Sequence, residues 1–118
     1  MNKVLFIVND PPYGTERAYN ALRLSLNLRK MDPEADVRVF LVGDGASCAK
    51  SGQTVPSGYY NVELMLKSLA KRGATVGVCG TCMYARGLKD ADLAEGTRRS
   101  SLDEMTEWTL WADKVLVF

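Results

Sequence analysis

Lys3-Val4-Leu5-Phe6-Ile7-Val8-Asn9 is a near-continuous apolar run without the alternation expected of a strand wetted on one face. Runs of this kind belong to strands buried on both faces, the usual state in a parallel sheet. Asp10-Pro11-Pro12-Tyr13-Gly14 breaks the backbone after it. Thr15 is placed to cap a helix whose apolar positions Ala18, Ala21, Leu22, Leu28 and Met31 recur at helical spacing until Asp32-Pro33 stops it. A second buried strand is predicted over 37–42, then a flexible loop that runs from Gly43 through Cys48 and past Pro56-Ser57-Gly58. Asn61 caps the next helix, with the stripe Val62, Met65, Leu66, Leu69 and Ala70, and Gly73 ends it. Residues 74–78 read as a third strand, 83–88 as a short helix, and 96–100 as a brief strand made atypical by Arg98 and Arg99. Ser101-Leu102-Asp103-Glu104 fits a capping box, with Leu102, Met105, Thr109 and Ala112 on one side of the helix it opens, and 114–118 closes the chain as a last buried strand. Strands alternating with helices give an α/β fold, a parallel sheet whose right-handed crossovers place helices on both faces.

The 118 residues form one domain, 1–118, with no linker or internal repeat, long enough to bury roughly two thirds of the unfolded chain's surface. A net charge of +1 leaves no electrostatic footprint for a polyanion, so no direct nucleic-acid partner is expected. No stretch approaches the roughly 20 apolar residues of a membrane span. The first ten residues lack a signal-peptide cleavage pattern, which predicts a cytoplasmic protein with reduced thiols. The chain contains no histidine, which removes the usual general base and the commonest nitrogen ligand for zinc. Histidine-dependent triads and zinc hydrolases are thereby excluded within one chain.

Open α/β folds bind ligands at the carboxyl ends of their strands. Tyr13-Gly14, Asp44 through Cys48, and Cys79-Gly80-Thr81-Cys82 all fall there. Cys79, just past the third strand, can be held as a thiolate by N–H groups of residues 81–83 and by a nearby Arg86, or it is a small, unreactive buried residue. Cys82 is close enough to attack a sulfur carried on Cys79 and resolve it as a disulfide, or it only packs in the following helix. A single C-x-x-C with Cys48 and Asp44 makes a contrived zinc set, so no metal is expected. Gly43-x-Gly45 lacks the third glycine of a dinucleotide fingerprint, and no cofactor is expected either. Val78 stands where thioredoxin-like motifs carry an aromatic residue. Asp44 suits either a substrate hydrogen bond or ordinary turn capping. Trp108 and Trp111, three apart on the last helix, suit either a subunit contact or core packing.

Taken together, Pro12-Tyr13-Gly14, Gly58-Tyr59-Tyr60-Asn61, Cys79-Gly80-Thr81-Cys82 with Arg86-Gly87, and the closing Trp108-Thr109-Leu110-Trp111-Ala112-Asp113-Lys114-Val115-Leu116 resemble the DsrE/DsrF-like sulfur-transfer family, in particular its small YchN-like branch, nearly end to end. The resemblance implies a three-layer α/β/α sandwich with a five-stranded parallel sheet of order 4-3-2-1-5 and a trimeric or hexameric homo-oligomer. It also implies that Cys79, at the position of the persulfide cysteine of sulfur-relay members, carries sulfur between donor and acceptor proteins. Cys82 is shared with the YchN-like branch and not with the relay subunits.

The expectation is a small cytoplasmic sulfur carrier in which Cys79 and Cys82 are the reacting residues and Tyr13, Gly14, Asp44, Thr81 and Arg86 support them. Two rivals stand beside it. One is an oligomeric small-ligand or regulatory module with incidental cysteines. The other is a redox switch in which Cys79 and Cys82 form a regulatory disulfide.

Overall fold

The computed structural model describes residues 1–118. The opening apolar run folds as β1 (Lys3–Val8), followed by α1 (Arg17–Met31), β2 (Asp36–Leu41), a 3-10 segment (Gly43–Ala49) and α2 (Val62–Lys71). β3 (Thr75–Cys79), α3 (Gly80–Ala85), β4 (Thr97–Ser100), α4 (Leu102–Trp111) and β5 (Lys114–Val117) complete the chain. The five strands form one parallel sheet in the order β4-β3-β2-β1-β5, with helices between them, as the DsrE-like resemblance implied.

The two-residue period of a strand sorts the sheet into two faces. Val4, Phe6, Val8, Val37, Val39, Leu41, Val76 and Val78 join Ala18, Ala21 and Leu22 of α1 and Leu66 and Leu69 of α2 in the larger core. Leu5, Ile7, Phe40 and Cys79 point the other way and pack with Trp108 of α4. The Trp108 ring meets Phe40 edge-on at 5.9 Å. Gly77 makes that contact possible, since a Cβ there would come within 3.1 Å of the Trp108 ring and 3.2 Å of Ser100. One helix thus covers the face that carries Cys79, while two cover the opposite face.

Several local expectations give way to tertiary context. Thr15 is not the N-cap of α1, a position that falls on Glu16: its hydroxyl donates to Asp10 at 2.8 Å and accepts the Arg17 N–H only at 3.4 Å. Met31 belongs to no apolar stripe and is 79% exposed, because the helix outruns the sheet that it packs on. The stretch after β2 is no flexible loop but a 3-10 segment with Gly45, Ala46, Cys48 and Ala49 buried. Gly45 presses against β1 so closely that a Cβ would lie 2.1 Å from the Val8 carbonyl oxygen. The short helix starts at Gly80, three residues earlier than the pattern predicted, and therefore contains Cys82. Ser101 accepts the Glu104 N–H at 3.2 Å, but the Glu104 carboxylate turns to Arg98 and Ser100 instead of closing the capping box. β5 is a half-open edge strand rather than a buried one, with Val117 64% exposed.

Candidate functional site

Cys79 ends β3 and is only 8% exposed. Its Sγ accepts the Cys82 thiol at 2.7 Å and the Cys82 backbone N–H at 3.4 Å, and lies 3.3 Å from the Thr81 hydroxyl. The sequence folds this way because α3 starts directly after the strand, so residues 81 and 82 turn back over the last strand residue. Burial alone would raise the Cys79 thiol. The hydrogen bonds from the Cys82 thiol, the Thr81 hydroxyl and the backbone N–H groups of Cys82 and Thr81 outweigh it and hold the thiol below its ordinary value of 9.0.

Cys82 behaves oppositely. Burial, its hydrogen bond to Cys79 and the charge on that sulfur push its thiol up, against the Gly43 N–H and the Arg86 guanidinium. The Gly43 N–H donates to Cys82 Sγ at 3.1 Å. Arg86 donates to the Cys82 carbonyl at 3.1 Å, and its guanidinium is fixed by Asp44 at 2.7 and 3.1 Å. The two thiols are therefore shifted in opposite directions, with the Cys82 S–H donating to Cys79 Sγ.

A cleft of about 560 Å³ opens beside Cys79, lined by Gly80, Thr81 and Tyr84 after β3 and by Arg99, Ser100 and Leu102 around the β4–α4 turn. Gly80 brings these two segments together, because a Cβ there would lie 3.1 Å from the Ser100 carbonyl oxygen and 3.2 Å from the Arg99 side chain. Tyr84 and Leu102 are 89% and 72% exposed, so the cleft has an apolar, open rim. Arg99 is anchored at 2.9 Å by Asp90.

Of the residues singled out in the sequence, Cys79, Thr81, Cys82, Asp44 and Arg86 form one connected cluster. Tyr13 and Gly14 do not join it. The Tyr13 hydroxyl donates to Gln53 at 2.6 Å and accepts the Val62 N–H at 3.1 Å, which ties the long connection down onto α2. Gly14 takes φ +102° and forms the turn that aims Tyr13 there. Cys48 is fully buried, donates to the Asp10 carbonyl at 3.4 Å, and is pushed up to about 12 by burial and by Asp10, so it is a structural thiol. No three His, Cys, Asp or Glu side chains gather closely enough to hold one metal ion. The sequence reading missed the Gly43 N–H, although Leu41 pairs with Val78 and so sets residue 43 level with the start of α3. It also missed Arg99, Ser100 and Leu102. The 4-3-2-1-5 order was the available signal, since it seats Ser100 beside Cys79.

A cysteine pair at the end of β3, in a parallel sheet of this order, coincides with a full-length family match: the DsrE/DsrF-like profile covers residues 2–118. The chain belongs to the DsrE/DsrF-like family. Within it, the chain is 38% identical to Protein YchN of Escherichia coli K12 over 118 residues, which spans all of both chains. It is also 38% identical over 116 residues to an uncharacterized protein of Methanocaldococcus jannaschii, covering 98% of this chain and 99% of that one. The crystal structure of the E. coli YchN protein superposes over the whole of both chains with a TM-score of 0.95. A protein of unknown function from Methanobacterium thermoautotrophicum, 15% identical, shares the fold over the full length of both chains at a TM-score of 0.75. The fold of this DsrE/DsrF-like chain thus extends to distant sequences.

Proposed function

We propose that this protein is a sulfur carrier in which the Cys79 thiolate accepts the outer sulfur of a donor's persulfide and passes it to an acceptor. The observation that carries the reading is the hydrogen-bonded set on Cys79 Sγ, one thiol, one hydroxyl and one backbone N–H, all within 3.4 Å. Such a set stabilises a thiolate without a histidine, and thiol–persulfide exchange needs a thiolate and access rather than a general base. The open cleft supplies access for a small sulfur compound or a protein-borne sulfur atom. Family membership supports the same reading. A reducing cytoplasm would keep both thiols available.

Reactivity against pH tests the reading. Alkylation of Cys79, followed by peptide mass spectrometry, is expected to rise through a midpoint below 9.0, with Cys82 modified later and Cys48 only on unfolding. Two slow thiols of ordinary midpoint would favour the ligand-binding or regulatory module instead.

The carrier is further proposed to be a homo-oligomer, a trimer or hexamer. Leu102 and Leu110 of α4 and Val115 and Val117 of β5 are exposed apolar side chains, and the rim of the Cys79 cleft is left open for a neighbouring subunit to wall. Light scattering is expected to give a multiple of 13.0 kDa that Leu110→Glu reduces while the circular dichroism stays native. A wild-type monomer would rule this out.

A further inference from the structure

Resting on the carrier reading, we propose that Cys82 limits the lifetime of a loaded Cys79: when no acceptor takes the outer sulfur, Cys82 expels it as hydrosulfide and leaves a Cys79–Cys82 disulfide. The geometry carries this. Cys82 Sγ already lies 2.7 Å from the sulfur it would attack and is held there from behind by the Gly43 N–H at 3.1 Å. Arg86, clamped by Asp44, fixes the Cys82 backbone through its carbonyl.

Loading switches Cys82 from a supporting group to a nucleophile. In the unloaded protein Cys79 Sγ is the thiolate, and the Cys82 proton is engaged in stabilising it. Once Cys79 carries a second sulfur, the negative charge moves outward by one S–S bond, about 2.05 Å. Cys79 Sγ is then a neutral divalent sulfur, which can be attacked. Burial still raises the Cys82 thiol, but the charge on Cys79 Sγ and the hydrogen bond to it, which added to that rise, are gone, while the Gly43 N–H and the Arg86 guanidinium that lower it remain.

The step balances. Cys79–Sγ–S⁻ and HSγ–Cys82 become Cys79–Sγ–Sγ–Cys82 and HS⁻; the bond between Cys79 Sγ and the outer sulfur breaks, the inter-cysteine bond forms, and the Cys82 proton leaves on the hydrosulfide. The outer sulfur is reduced by two electrons as the two cysteine sulfurs are oxidised. A dithiol reductant then restores the pair by disulfide exchange.

The test loads reduced wild type, Cys82→Ser and Cys79→Ser with inorganic polysulfide, removes the excess, and follows released sulfide and intact mass. Wild type is expected to change from one sulfur heavier to two hydrogens lighter, releasing one sulfide per disulfide at a rate independent of protein concentration. Cys82→Ser is expected to load more slowly, since its hydroxyl supports the thiolate less well, and to hold its sulfur at least about tenfold longer, because the intramolecular attack is lost. Equal lifetimes in wild type and Cys82→Ser, or sulfide release without a disulfide, would overturn the proposal while leaving the carrier reading intact. A wild type and a Cys82→Ser variant that never gain sulfur, with no disulfide formed and no sulfide released, would remove both.

Discussion

At the residue scale the site depends on backbone that comes too close for a side chain. Gly45 lies against the Val8 carbonyl oxygen, and this contact sets where the 3-10 segment leaves β2 and so where the Gly43 N–H points. Gly45→Ala must push backbone against backbone, an overpacking cost of about 3 kcal/mol. Thermal melting of this variant is expected to fall by about 10 °C, with slower alkylation of Cys82 at a given pH, because the Gly43 N–H that lowers its thiol is displaced. An unchanged melting temperature would show that the segment is not pinned there. The place of Cys79 at a strand end was legible in the sequence, whereas spacing left it open between a reactive thiol and an inert buried one. The hydrogen bond that the Cys82 thiol donates to it was not legible, since it depends on how tightly α3 turns back over β3. Nor could spacing assign Cys48, which the sequence placed in a loop and which folding buries completely.

At the scale of elements, α4 alone covers the sheet face that carries Cys79, and it does so chiefly through Trp108. The ring fills the space above Gly77 and Phe40 and is 4% exposed, so Trp108→Ala is expected to cost about 3–5 kcal/mol. Trp111, three residues on, is half-buried beneath Arg38, whose guanidinium stands 3.7 Å from its ring centre. Trp111→Ala is expected to cost clearly less, and guanidinium titrations should rank the two in that order. Equal losses would mean that α4 is held by its whole length rather than by Trp108. Trp108 takes the core role, one of the two the sequence left open, while Trp111 stacks under Arg38 of the same chain. Strand and helix order was readable from apolar periodicity, because each element buries a face that must be apolar. The ends of elements were less so. Thr15 was drawn to Asp10, and β5 was left open at the sheet edge, through contacts that no local pattern encodes.

At the scale of the molecule, the β4-β3-β2-β1-β5 order brings three remote segments to one end of β3: the start of the 3-10 segment, the C-x-x-C turn and the β4–α4 turn. The alternating pattern of the sequence specified a parallel sheet but not this order, which rested on resemblance to a family. The same order separates the site from the tyrosine-bound connection at Tyr13, which lies at the strand ends yet serves the fold. The central claim is that this arrangement makes Cys79 a carrier of sulfur, and the most direct measurement is intact-mass analysis of the reduced protein after incubation with a persulfide donor. The account predicts one added sulfur that a reductant removes, present in wild type and absent in Cys79→Ser. A wild type that gains neither the sulfur nor a Cys79–Cys82 disulfide with released sulfide, or a Cys79→Ser variant that gains the sulfur equally, would contradict it.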